Sequence, residues 1–211
     1  YVRDYKKKQQ HNKLLDLHIA KMVGFNIPST LITNKKKDLF DFYNICNKKI
    51  ITKPIKNSLF IQDENHLEFG KHTFIITNEE IQILDSIFNL GLFQEYIQKK
   101  FEIRVFVFSE KIYSMAIFSQ NNVNTQVDYR NYDHEKPNRC VPYNLPNTIK
   151  RKIFKFMKYK KIDTGSIDII FSTNNKYFFL ENNPQGQFEW LSKNCNYNIE
   201  KEIAEILISQ I

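Results

Sequence analysis

SIDIIFSTNNKYFFLENNPQGQFEWL, residues 166–191, decides how the rest of the chain is read. Two apolar runs, 166–171 and 177–182, flank Ser172-Thr173-Asn174-Asn175-Lys176, and asparagine tolerates the positive φ of a tight hairpin turn. With Asn174-Asn175 as the central pair of a type I′ turn, residue 172 faces 177 and Asp168 lies directly across from Glu181. Side chains alternate between faces along a strand, so Glu181 and Asn183 share a face with Asp168. Ile167, Ile169 and Phe171, opposite Phe178 and Leu180, fill the other face as core. Facing carboxylates repel unless a cation offsets them. Two carboxylates and a carboxamide form an all-oxygen set that suits Mg2+, which leaves positions to water and phosphate. The same three residues are equally ordinary on a solvated sheet face, and the hairpin alone leaves both readings open. Beyond it, Pro184 ends the strand and Gly186 allows a sharp turn. Trp190, the only tryptophan, is expected to anchor the segment in the core.

Composition narrows the classes. The chain has 211 residues, 42% hydrophobic and 14% aromatic, enough for a packed core in one or two domains. Its 31 Lys and Arg against 23 Asp and Glu give a net charge of +8, which permits an anionic partner. Yet lysines are scattered throughout, runs such as Lys35-Lys36-Lys37 are solvated, and no basic stretch interleaves aromatics, so nucleic acid is not expected. Charges interrupt every apolar run well before the ~18 residues of a membrane span. The N-terminal YVRDYKKKQQ lacks the apolar segment of a signal peptide. Cys46, Cys140 and Cys195 are far apart, which fits a reducing, cytoplasmic setting rather than a disulfide scaffold. The histidines do not cluster, so no histidine metal site is expected. The chain opens on Tyr rather than Met, and an N-terminal portion is expected to precede it.

Periodicity gives the elements. Residues 11–24 carry apolar side chains at helical spacing up to Gly24. A short strand near 30–34, a helix over 38–46 and a strand cut off by Pro54 follow. Residues 56–72 lack periodicity and read as a mobile loop. A strand, a helix over 79–88 and the segment LFQEYI lead to two strands, EIRVFVF and KIYSMAIF, hinged at Ser109-Glu110. Residues 119–147 form a long polar loop, then a helix spans 147–160. After the hairpin, IEKEIAEILISQI is an amphipathic helix. Helices and hairpins mix without regular βαβ alternation, so the class is α+β with antiparallel sheets.

The chain resembles the ATP-grasp superfamily. The stretches that carry the likeness are NKLLDLHIAKMVGFNIPSTLITN, KIITKPI, LFQEYIQKKFEIRVFVF, KIYSMAIFSQ, VDYRNYD and DTGSIDIIFSTNNKYFFLENNPQGQFEWL, in the family's order. ENNPQGQFEW together with SQ and VDYR is similar to the graspetide (microviridin-type) ligases, notably those of grasp-with-spasm systems, which crosslink ribosomally made peptides. The resemblance implies two antiparallel-sheet α+β subdomains clasping ATP, an N-terminal lobe over 1–93 and a C-terminal lobe over 94–211 with the metal and peptide sites. It also implies a further α/β domain ahead of residue 1.

The likeness carries roles to individual positions. Lys13 and Lys53 would touch phosphate, as point charges suited to its oxygens. The link Gln94, Glu95, Tyr96 and Ile97 would take the adenine edge, through backbone groups of Glu95 and Ile97. Glu102 would accept the ribose hydroxyls, and Glu102→Ala is expected to weaken ATP binding with the fold intact. Glu102, Arg104, Phe106 and Phe108 share a strand face, so Arg104 would enter the same cleft and hold phosphate or carboxylate; a salt pair within the sheet is the plainer alternative. Asp168, Glu181 and Asn183 would hold Mg2+, facing one cleft with the Lys53 ammonium. Arg130, with Asp128 nearby, would hold the core peptide or the acyl phosphate, and Gln120 and Gln187 would line the same cavity. One departure stands out: Gly70 is the single glycine of 54–72, so the phosphate-covering loop is not the glycine-rich kind.

The implied reaction is ATP-dependent activation of an Asp or Glu side chain of a precursor peptide, followed by an ester or amide crosslink. A radical SAM/SPASM enzyme and a second copy of the chain are possible partners on this reading. A ligase adding amino acids to a protein tail, like the ribosomal-protein glutamate ligases, and a non-catalytic basic binding module are the alternatives.

Overall fold

The computed structural model describes residues 12–55 and 73–209, with the backbone alone of 61–62 and 68–69. The loop expected over 56–72, Gly70 included, otherwise lies outside the described residues. In chain order the elements are α1 Lys13–Met22, β1 Thr30–Lys35, α2 Lys36–Ile45, β2 Ile50–Lys53, β3 Ile61–Gln62, β4 Glu68–Phe69, β5 Phe74–Ile76, α3 Asn78–Ile83, β6 Ile87–Glu95, β7 Lys99–Phe108, β8 Lys111–Ile117, β9 Cys140–Pro142, α4 Asn147–Lys160, β10 Thr164–Ser172, β11 Tyr177–Asn183, α5 Glu189–Cys195 and α6 Ile199–Ile208. The class is α+β with antiparallel sheets, as the sequence indicates.

Two compact units form, both discontinuous in the chain. The first takes the residues through Ile27, Lys99–Gln120 and those from Asn138 on; the second takes Pro28–Gln98 and Asn121–Pro137. The sequence reading drew a single boundary at 93/94 instead.

The first unit is built on an antiparallel sheet in the order β11-β10-β7-β8-β9. Strict alternation on β7 and β10 sends Ile103, Val105, Val107, Ile167 and Ile169 to one face, where α1 and α4 supply Leu17, Ala20, Ile153 and Phe156. α1 starts where it does because the Asn12 side chain accepts from Leu14 N and Leu15 N, both at 3.1 Å, and it stops before Gly24 at φ +93°.

The hairpin differs from expectation in two places. Only Asn175 is left-handed, at φ 58°, and Asn175 N donates to Ser172 O, so the turn has three residues and pairs Phe171 with Tyr177. Ile169 pairs with Phe179 and Asp168 with Glu181, which leaves Leu180 as a bulge. The two one-residue offsets cancel. Asp168 therefore faces Glu181 as read from sequence, but the core side chain of β11 is Phe179, fully buried, rather than Phe178 and Leu180. Burial of that ring contributes about 1.5–3 kcal/mol. Because the bulge intervenes, Phe179 and Glu181 point to opposite faces although they are two residues apart. Asn182 falls on the core side opposite Ile167, with room made by Gly165.

The second unit has a sheet in the order β1-β6-β2-β5, with α2 and α3 on one face. Leu39, Tyr43, Ile50, Ile76, Ile81 and Phe93 form its core. α3 opens with a capping box, Thr77 and Glu80 each bonding the other's backbone N–H. It ends at Ile83, not near residue 88, because Leu84 is already extended and Ile87 begins the long central strand. Residues 121–137 are polar, as expected, but tied down: Asp133 accepts from Asn122, Asn124, Glu135 N and Lys136 N.

Candidate active site

The face of the first unit opposite its core is where the predicted polar residues converge. Pairings place Arg104 beside Asp168 and Asp168 beside Glu181, while Ser166 pairs with Phe106 on one side and Asn183 on the other. Glu102 is two residues before Arg104 on β7, hence on the same face. Arg104 Nη1 lies 3.0 and 2.9 Å from the two Asp168 carboxylate oxygens, and both residues are buried. Lys13, at the start of α1, brings its ammonium to 3.8 Å from Glu181. Asn183 Oδ1 accepts from Gln185 N at 3.1 Å as the chain leaves the strand. Glu102 Oε1 accepts from Lys99 at 2.7 Å and Ser119 at 2.8 Å, within a buried cluster.

Sequence reasoning named the acids here and missed what holds them. Ser119 escaped notice because a strand and a short helical turn must meet 17 residues apart, and Lys99 because a residue three before Glu102 on a regular strand would face the other way. The expected anchor was also misplaced. Phe188 packs on Phe106 with ring centroids 4.8 Å apart, whereas Trp190 is half-buried and lines a groove with Gln187, Glu189 and Lys193. Gly186 closes that turn at φ +56°, and a Cβ there would come within 2.9 Å of the Phe106 ring. Gln187 has an exposed side chain, and its carbonyl accepts from Ser166 Oγ at 3.4 Å. Gln120 donates to Ser119 Oγ at 3.5 Å.

The donor set at Asp168, Glu181 and Asn183 is all oxygen, which fits Mg2+. Among the described residues no three His, Cys, Asp or Glu side chains gather as a metal cluster, so the carboxamide is needed to complete the set.

In the second unit, Thr30, Ile32, Ile51, Lys53, Leu92 and Gln94 share the face away from its core, by the pairings of β1 and β2 with β6. Lys53 is opposite Leu92, two residues from Gln94, or ~7 Å along the strand. Ile32, Ile51 and Leu92 give that face an apolar patch with a lysine at one end, which has the chemistry to take a flat apolar ring and an anion. Gln94 Nε2 donates to Thr30 Oγ1 at 2.8 Å, and its buried Oε1 has no hydrogen-bond partner. Such an acceptor suits a ligand amino group, as adenine carries. Glu95 N and Tyr96 N are already donated to Ser29 O and Lys49 O, at 2.9 and 3.0 Å, and the Glu95 carboxylate accepts from Ser29. Ile97 is buried just past the strand.

Asp128 and Arg130 belong to this second unit and pair with each other. Arg130 Nε and Nη2 donate to the two Asp128 oxygens at 2.8 and 2.6 Å. Burial pushes the Asp128 carboxyl up, but the bonds and charge of Arg130, with a bond from Thr73, outweigh it and hold the pKa at about 2. The Arg130 side chain stays half exposed and can reach a further anion.

The family model described as a RimK-like ATP-grasp domain matches residues 10–207. The macrocyclase MdnC of Microcystis aeruginosa MRC, solved with the precursor peptide MdnA, superposes with a TM-score of 0.84 at 32% identity, over 100% of this chain and 65% of that one. A RiPP-associated ATP-grasp ligase of Chryseobacterium gregarium, solved with ADP and a leader and core peptide, gives 0.86 at 28% identity, over 94% of this chain and 60% of that one. The chain thus spans under two thirds of the length of either relative. The ATP-grasp ligase PsnB, solved with minimal precursor, Mg and ADP, is similar in fold at 17% identity and a TM-score of 0.74. No curated protein matches the sequence significantly. With the match running over nearly its whole length, the chain belongs to the RimK-like ATP-grasp family.

Proposed function

We propose that the chain is the nucleotide- and metal-binding part of an ATP-dependent ligase that crosslinks a ribosomally made precursor peptide. The observation that carries the reading is the single polar sheet face on which Glu102, Arg104, Asp168, Glu181 and Asn183 lie together, opposite the face that packs its apolar core on α1 and α4. The likeness to MdnC and to the Chryseobacterium gregarium ligase supplies the substrate class.

In this reading an Asp or Glu side chain of the peptide attacks the γ-phosphorus of ATP in line, giving an acyl phosphate and ADP. A Ser or Thr hydroxyl, or a Lys amine, of the same peptide then displaces phosphate and leaves an ester or amide. Gln94 and the Glu95–Ile97 backbone hold the adenine edge, Glu102 the ribose, and Lys13 and Lys53 the phosphates. Asp168, Glu181 and Asn183 hold Mg2+, which when bound offsets charge on the phosphate oxygens. Arg104 steadies the transferring group, and Arg130, with Asp128, Gln120 and Gln187, holds the peptide. A cytoplasmic setting, a radical SAM/SPASM partner enzyme and a homodimer complete the proposal.

The test is a mass measurement. Incubated with ATP, Mg2+ and an acidic Ser/Thr-rich peptide, the chain should release ADP and leave product lighter by one water per link. A mass gain would mark a tail-adding ligase, and no ATP use a binding module. Glu181→Gln and Asp168→Asn should each abolish turnover, and the double variant should be little worse than either, since both serve one ion.

A further inference from the structure

Each carboxylate read as a metal ligand is met by a cation read as a phosphate ligand. Arg104 and Asp168 are 4% and 8% exposed and paired at 2.9 Å across β7 and β10. Glu181, opposite Asp168 on β11, has the Lys13 ammonium 3.8 Å away, and both of those side chains are largely covered. Arg104, Asp168, Glu181 and Lys13 thus carry two positive and two negative charges on one face of one unit, and the formal sum is zero.

From this we propose that Arg104 and Lys13 are placeholders: without nucleotide they neutralise the metal-binding carboxylates and keep a free divalent ion out, so that metal and nucleotide bind only together. The inference rests on the assignment of Asp168, Glu181 and Asn183 as metal ligands. An ion arriving alone must add two positive charges to a neutral cluster and compete with a guanidinium for the Asp168 lone pairs. Arg104 cannot yield those oxygens cheaply, because breaking a buried, hydrogen-bonded charge pair is costly. A triphosphate changes the exchange. Its oxygens offer Arg104 and Lys13 new anions, the carboxylates pass to the ion, and every charge is re-paired rather than stranded. Coupling of this kind is reciprocal, so the ion tightens the nucleotide as much as the nucleotide tightens the ion.

Mn2+ binding, read from the electron paramagnetic resonance signal of the free ion, tests the proposal without any turnover. In the absence of nucleotide, Arg104→Gln should bind Mn2+ on the order of tenfold or more tighter than the unaltered chain, since one repelling charge a few ångströms away is gone. Adding Asp168→Asn should abolish that gain. Lys13→Gln, at a less buried position, should raise the affinity in the same direction, and serves if Arg104→Gln does not fold. Equal Mn2+ affinity in the unaltered chain and the folded variants overturns the proposal. Failure of the metal assignment looks different: with ADP present, Mn2+ binding that Glu181→Gln leaves unchanged removes the assignment itself.

Discussion

Glu102 shows how one residue can carry two duties. The carboxylate proposed for the ribose is also the acceptor for Lys99, 5% exposed, and for Ser119. Glu102→Ala therefore carries a stability cost besides the weaker ATP binding expected of it. It should cost about 3–5 kcal/mol in a denaturant titration, because it takes a buried ammonium's carboxylate away. Glu102→Gln keeps the shape and should lose less stability, while ADP affinity falls about tenfold in both. Stability falling equally in the two, with ADP affinity unchanged, would assign Glu102 to structure alone. Asp128 permits a prediction with a definite sign. Its carboxyl is lowered from 3.8 to about 2 in the fold, so it contributes stability that is fully present above 3.8 and lost as pH falls through about 2. Arg130→Leu should remove that acid dependence between pH 4 and 2, and an unchanged acid limb would sink the claim. The thiols complete this scale: burial pushes Cys46 and Cys140 up and Cys195 to about 11, so none is poised as a thiolate nucleophile.

The hairpin is the element on which reading and structure can be compared in detail. The pairing of Asp168 with Glu181 was legible, because an apolar strand ending in Glu-Asn-Asn fixes where polarity begins. The route to it was not. A period of two cannot register a bulge, and Asn174-Asn175 looks like a two-residue turn whether or not Asn175 alone adopts positive φ. The partners of Glu102 and Gln94 were illegible for other reasons: Ser119 and Thr30 meet them only through tertiary register, and Lys99, three residues before Glu102, reaches it only because β7 is irregular between Lys99 and Phe101. A deletion separates the strand's two sides. Leu180 pairs with nothing, so removing it should leave Phe179 in the core and Glu181 across from Asp168, at a stability cost below about 2 kcal/mol. Removing Ile169 from β10, which pairs regularly on its β7 side, must break the register of Asp168 with Arg104. Equal damage from the two deletions, measured by denaturation, would show that the bulge is a required joint.

At the scale of the molecule, composition allowed one or two domains and the resemblance implied two subdomains, but neither said which segments share a core. Residues 28–98 supply most of one unit as one stretch, closed by pairings such as Thr30 with Gln94, whereas the other unit is assembled from three separate stretches. Its α1 is joined to β11 through Asn26, whose side chain donates to Tyr177 O 151 residues later. For a chain emerging from a ribosome this sets an order in time. The sheet of the second unit can close while synthesis is still under way. The helix bearing Lys13 has only part of its core, from β7 and α4, until β10 and β11 add Ile167, Ile169 and Phe179. Nascent chains stalled before residue 164 would hold one finished unit and a first unit whose sheet lacks two strands, and that interval is when the protein is most exposed to misassembly.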